Sequence, residues 1–192
     1  MIDQIKQLRE QTGVGIMECK KALNEAGSDI EKAKEILRKA GKELANKKSS
    51  RDASQGIVES YIHPNKKVGV LFEIRCETDF VAKSEDFKSL AHEICLQIAA
   101  MKPLYISEED IPESFLANEK EIYKEQFKKS DKPEKVIGGI IEGKLNKCKK
   151  EISLLSQPWI KDGSKTIKDL IEEKIAKVGE NIKVKKFVRY EI

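Results

Sequence analysis

From Val68 to Cys76 apolar side chains occupy every second position (Val68, Val70, Phe72, Ile74 and Cys76), the period of a strand with one buried face. Downstream the period changes. Phe87, Leu90, Ala91, Ile94 and Ile98 recur at helical spacing, which predicts a helix over Phe87 to Met101. Between the two lies Cys76-Glu77-Thr78-Asp79-Phe80-Val81-Ala82, a short connection that places an acid beside a large aromatic on two rigid supports. Two readings of that pair stand together. Either Asp79 is a turn residue or helix cap with Phe80 tucked into the core, or the pair projects outward for a partner to receive.

Residues 1 to 41 read as three short amphipathic helices. The first carries Ile2, Ile5 and Leu8 on one face and stops at Gly13-Val14-Gly15; the second carries Ile16, Cys19, Leu23 and Ala26 and stops at Gly27. Ser28-Asp29-Ile30-Glu31 fits a capping box, with the Ser28 hydroxyl accepting from a backbone N–H three residues on and Glu31 reaching back. It precedes the apolar stripe Ile30, Ala33, Ile36, Leu37 and Ala40. The Val14, Ile16 and Met17 cluster is either the corner of this bundle or an exposed apolar handle. From Lys42 to Gln55 basic and small polar residues take over, so this stretch is predicted to be a linker, helical at most at its start.

Ile57 to His63 is a second strand, joined through the Pro64-Asn65-Lys66-Lys67 turn to the Val68 strand as an antiparallel hairpin. Beyond Pro103, helical patterns over about Glu113 to Lys129 and Pro133 to Lys149 meet at Ser130-Asp131-Lys132-Pro133, a helical hairpin whose apolar residues serve as core or as a surface for a second copy of the chain. Leu154 to Ile160 reads as a loop holding the only tryptophan, Trp159. Thr166-Ile167-Lys168-Asp169 caps a helix with Leu170, Ile171, Ile175 and Val178 inside and Gly179 closing it. The chain finishes on a strand, Ile182 to Ile192, whose alternation is disturbed around Lys185-Lys186-Phe187. The fold class is α+β.

Composition narrows the function more than the fold. With 192 residues, 36% of them charged and 39% hydrophobic, the chain has room for one medium domain and a small one, or for one compact body. A net charge of +4 is mildly basic, but Lys and Arg interleave with Glu and Asp as on solvated helix faces, so direct nucleic-acid binding is not expected. The basic run Asn46-Lys47-Lys48-Ser49-Ser50-Arg51 lacks aromatic neighbours for base stacking. With Lys183-Val184-Lys185-Lys186 it nonetheless motivates one rival reading, a small RNA- or ribosome-binding protein. No apolar run reaches the length of a membrane span and the N-terminus does not read as a signal peptide, which makes a cytoplasmic location the default.

Four scattered cysteines, Cys19, Cys76, Cys95 and Cys148, show no metal-binding spacing and read as reduced structural thiols. Only two histidines exist, His63 beside a turn and His92 on a helix, and no base, nucleophile or metal ligand lies near Asp79 in sequence. No catalytic residue, metal or cofactor is therefore expected, and the chain does not read as an enzyme.

Three stretches together carry a family resemblance. Gln11-Thr12-Gly13-Val14-Gly15-Ile16-Met17-Glu18-Cys19-Lys20-Lys21-Ala22-Leu23 resembles the opening helical module of bacterial elongation factor Ts, Cys76 to Ala82 resembles its Thr-Asp-Phe-Val signature, and Leu154-Leu155-Ser156-Gln157-Pro158-Trp159 resembles its Leu-x-x-Gln-Pro-aromatic stretch. The matches fall in the family's order, in what looks like its short form. The resemblance implies a ubiquitin-associated-like three-helix domain over 1–41, a linker over 42–55 and an α+β dimerisation and exchange core over 56–192, with an antiparallel sheet and a helical hairpin. It also implies a guanine-nucleotide exchange factor that binds elongation factor Tu with GDP or without nucleotide. Thr78, Asp79, Phe80 and Val81 would then displace the magnesium site, and Val14, Gly15, Ile16 and Met17 would dock the N-terminal module. A homodimer is expected, because one chain supplies one copy of a half that longer relatives carry twice.

Overall fold

The computed structural model describes residues 1–128 and 133–192. Three helices open the chain: α1 (Ile2–Thr12), α2 (Ile16–Glu25) and α3 (Ile30–Lys48). Leu8, Cys19, Ala22, Leu23, Ala33 and Leu37 bury their side chains together, and Gly13, at φ 68°, closes α1 in the left-handed conformation that glycine adopts without a Cβ penalty. The cap of α3 differs from the predicted box. Asp29 is the N-cap, its Oδ1 accepting from Glu31 N (3.0 Å) and Lys32 N (3.1 Å), while Ser28 occupies the left-handed region at φ 67°.

The predicted linker is helical over its first half, because α3 continues to Lys48. Its buried stripe runs on from Leu37 through Gly41 to Ala45, residues too small to register as a hydrophobic pattern. They are small because α8 (Ile167–Val178) lies against them: a Cβ on Gly41 would stand 3.2 Å from that of Ala176.

The core is built on a three-stranded antiparallel sheet of β1 (Gln55–Ile62), β2 (Val68–Cys76) and β5 (Ile182–Glu191), with β2 in the middle. The inward residues of β2 (Val70, Phe72, Ile74 and Cys76) meet Phe87, Leu90, Ala91, Ile94 and Ile98 of α5 (Glu85–Met101), and Ile167, Ile171 and Ile175 of α8 complete the cluster. The disturbed alternation in the last strand is a β-bulge: Glu73 pairs with Lys186 and Ile74 with Val184, leaving Lys185 unpaired. Gly56 is required where β1 begins, since a Cβ there would lie 2.2 Å from the Ile74 carbonyl oxygen.

The helical hairpin of α6 (Glu113–Phe127) and α7 (Glu134–Ile152) stands off this body. Among the described residues, α6 buries no side chain fully and α7 only Ile141. Its predicted turn at Ser130, Asp131 and Lys132 lies outside the described residues. The Leu154–Ile160 stretch is more ordered in kind than a loop, with a 3₁₀ turn at Leu154–Ser156 and β3 (Pro158–Trp159) paired to β4 (Asp162–Thr166). Gln157 is fully buried within it, its amide donating to Met101 O (3.3 Å) and Glu151 O (2.7 Å) and accepting from Gln97 (3.1 Å). The Gln-Pro stretch thus ties α5 to the end of α7 and is a structural joint. Among the described residues, no helix is long and apolar enough to cross a membrane.

Candidate functional site

The Cys76 to Ala82 connection contains one further element, the short helix α4 (Asp79–Lys83). Its cap is Thr78 rather than Asp79: Thr78 sits in extended backbone and its hydroxyl accepts from Val81 N (3.4 Å). Ser84 then caps α5 by accepting from Phe87 N (3.3 Å), so two helix starts follow each other within seven residues. Ala82 and Phe87 face the core and Val81 packs at its edge. Phe80 faces the other way.

The Phe80 side chain is 83% exposed, which excludes its placement in the core. An aromatic this open is out of keeping with the burial usual for its type. Asp79 is exposed too, with its carboxylate 2.6 Å from Lys83 Nζ, and that ammonium lowers its pKa below the ordinary carboxylate value. The corner beneath them is rigid: Cys76 Sγ donates to Thr78 O (3.2 Å), and burial pushes the Cys76 thiol up to about 11.

The N-terminal cluster divides into both predicted roles. Val14 is half-buried against the three-helix core, whereas Ile16 and Met17 are 51% and 70% exposed at the start of α2. Gly15 is the N-cap of α2, with its carbonyl accepting from Cys19 N (3.0 Å). The corner and the handle are thus adjacent residues of one turn.

A sequence profile described as "Elongation factor TS" matches residues 3–192. The chain is 55% identical over 186 residues to elongation factor Ts of Coprothermobacter proteolyticus, covering 97% of this chain and 94% of that protein. It is 54% identical over 191 residues to elongation factor Ts of Thermotoga petrophila, covering 100% and 95%. The chain belongs to the elongation factor Ts family. It is by that membership a translation elongation factor.

Sequence reasoning missed the residues that hold this corner. Glu180 and Asn181, in the turn after α8, bond to Thr78 and Glu77 across about a hundred residues of chain. Nothing in their local pattern marks them, since a Gly-Glu-Asn turn after a helix reads only as a C-cap. Cys19, Cys76 and Cys95 are buried free thiols and Cys148 is half-buried, all placed as structural side chains. Among the described residues, no group of three or more His, Cys, Asp or Glu side chains is arranged to hold a metal ion.

Proposed function

We propose that the chain is a guanine-nucleotide exchange factor that binds elongation factor Tu with GDP bound and promotes GDP release. The observation that carries this is Phe80, a large apolar side chain left in solvent on a corner fixed from below. Its burial in a pocket of the GTPase would supply binding energy, and a wedge there need move the magnesium site only slightly. Mg²⁺ demands near-ideal octahedral geometry, so a small displacement of its holders weakens the ion and the diphosphate together. Binding linkage sets the direction: a factor that lowers GDP affinity is itself bound less tightly when GDP is present, and entering nucleotide displaces it. No covalent bond changes, so the role calls for no catalytic residue.

Ile16 and Met17, with Val14 and Gly15 behind them, serve as the second contact in this reading, in the cytoplasm where translation runs. The decisive measurement is release of labelled GDP from elongation factor Tu with and without the protein. Acceleration is expected; an unchanged rate at saturating protein rejects the proposal.

The outer face of the sheet suits a second copy of the chain. Ile62, Leu71 and Tyr190 lie exposed towards one end of it, and Glu73, Arg75, Lys183 and Lys186 occupy the other, where the exposed Val58 sits opposite Glu73. A two-fold pairing would set apolar half on apolar half and offer each charged half both signs. Light scattering should give the dimer mass, and Leu71→Glu should shift it to the monomer; a wild-type monomer at micromolar concentration rejects this arrangement.

A further inference from the structure

The corner that carries Phe80 exchanges hydrogen bonds with the turn between α8 and β5. The Glu180 carboxylate accepts from Thr78 N (2.9 Å) through one oxygen and from Thr78 Oγ1 (2.6 Å) through the other. In return, Glu77 in the corner accepts from Asn181 N in the turn (2.7 Å). Each segment thus satisfies a backbone N–H of the other with a carboxylate, the stronger class of hydrogen bond. The Thr78 hydroxyl that donates to Glu180 is the same one that caps α4, so the carboxylate fixes the orientation of the cap as well as its position.

The same turn grips the end of α3. Asn181 is buried, and its side-chain amide donates to Arg51 O (2.8 Å) and Ser49 O (3.4 Å); Lys48 Nζ donates to Gly179 O. Arg51 closes the loop at 3.5 Å from Glu77. A three-residue turn therefore holds the Phe80 corner on one side and the root of the N-terminal module on the other.

The geometry points to Glu180 as a positioning residue for nucleotide exchange: it acts through Thr78, and so sets the direction in which Phe80 leaves the corner. This rests on the exchange reading above. Losing a two-pronged charged hydrogen bond at an exposed corner frees α4 to pivot, while the hydrophobic core, which lies behind Ala82 and Phe87, is untouched. A residue that merely closed the α8–β5 turn would instead lower stability and leave exchange by the folded protein unchanged.

The experiment compares wild type, Glu180→Ala, Glu180→Gln and Phe80→Ala in three measurements: amide hydrogen exchange at Thr78 and Val81, thermal unfolding, and the concentration dependence of GDP release from elongation factor Tu. Glu180→Ala should lose protection at both amides, keep its melting temperature, and lower the saturating release rate about tenfold with a smaller change in half-saturating concentration. Glu180→Gln should recover most of that rate, because its amide oxygen still accepts from Thr78 N and its NH₂ can donate to Thr78 Oγ1. Unchanged amide protection in Glu180→Ala overturns the proposal, as does a lowered melting temperature with normal release. If Phe80→Ala is slow while Glu180→Ala matches wild type, positioning alone fails; if Phe80→Ala accelerates GDP release as wild type does, Phe80 is not the exchange contact and positioning falls with it; if wild type itself does not accelerate release, the exchange reading falls.

Discussion

Lys42 of α3 lies 2.7 Å from Asp169 of α8, and Arg38, one helical turn earlier, reaches the same oxygen at 3.3 Å. The other Asp169 oxygen accepts from Thr166 N (3.0 Å) and Thr166 Oγ1 (2.9 Å) in the capping box of α8. One carboxylate therefore starts a core helix and anchors the N-terminal module. Burial opposes its charge, but the bonds from Lys42 and Thr166 outweigh that cost and hold Asp169 well below the ordinary carboxylate range.

Asp169→Asn should lower stability by about 1.5–3 kcal/mol at neutral pH. Because the folded pKa is depressed, the wild-type advantage should be complete above the ordinary value of 3.8 and be lost as pH falls through the depressed one. Glu172, beside it, has the opposite sign: burial raises its pKa, and Oε2, 3.9 Å from Lys42 Nζ, has no hydrogen-bond partner among the described residues. Its ionisation therefore costs stability as pH rises past the ordinary value of 4.5, so Glu172→Gln should melt higher than wild type at pH 7 and match it in acid. Melting curves of both variants from pH 1 to 8 check the two signs together; curves that run parallel to wild type across that range reject them.

Phe80→Ala separates binding from folding. With the ring 83% exposed, melting should be unchanged, whereas loss of an aromatic anchor at an interface costs about 2–4 kcal/mol, roughly 30- to 1,000-fold in affinity or exchange rate. Asp79→Ala should act in the same direction and less strongly. GDP release and unfolding measured on one sample of each variant decide it.

How much of this was readable beforehand depended on how far each signal travels along the chain. The Val68–Cys76 strand was legible because one of its faces is buried along its length, and the α8 cap because Thr166 and Asp169 sit three residues apart. The length of α3 was not, since Gly41 and Ala45 are packed by closeness rather than by hydrophobic bulk. At the site, the sequence left Phe80 undecided between core and surface; only the placement of Ala82 and Phe87 toward the core forces it outward. Strand order followed from no local pattern, because β5 joins β2 from the far end of the chain.

Met17→Glu should weaken the complex with elongation factor Tu and leave the melting temperature unchanged, because the side chain is 70% exposed and its loss removes nothing from the three-helix core. Val14→Glu, by contrast, should destabilise the module itself. Calorimetric titration alongside unfolding tells the two apart; equal binding by Met17→Glu would take the N-terminal contact off this turn.

Gly56→Ala should cost about 1–3 kcal/mol, which for a chain of this size is roughly 2–4 °C of melting temperature per kcal/mol. The new methyl would collide with backbone, the Ile74 carbonyl and Arg75 Cα, neither of which can rotate aside. A melting curve indistinguishable from wild type would show that the end of β1 can peel away freely.

The bulge at Lys185 makes the last strand tolerant of a change in length. In a regular strand, removing a residue turns every later side chain to the opposite face. Here Val184 and Lys186 already pair with adjacent residues of β2, so a chain lacking Lys185 would simply run through in continuous register. Phe187 and Arg189 would still face α5, and Val188 and Tyr190 would still face out. Homologous chains one residue shorter at this point could therefore keep the same sheet, and an alignment gap at Lys185 would carry no structural meaning.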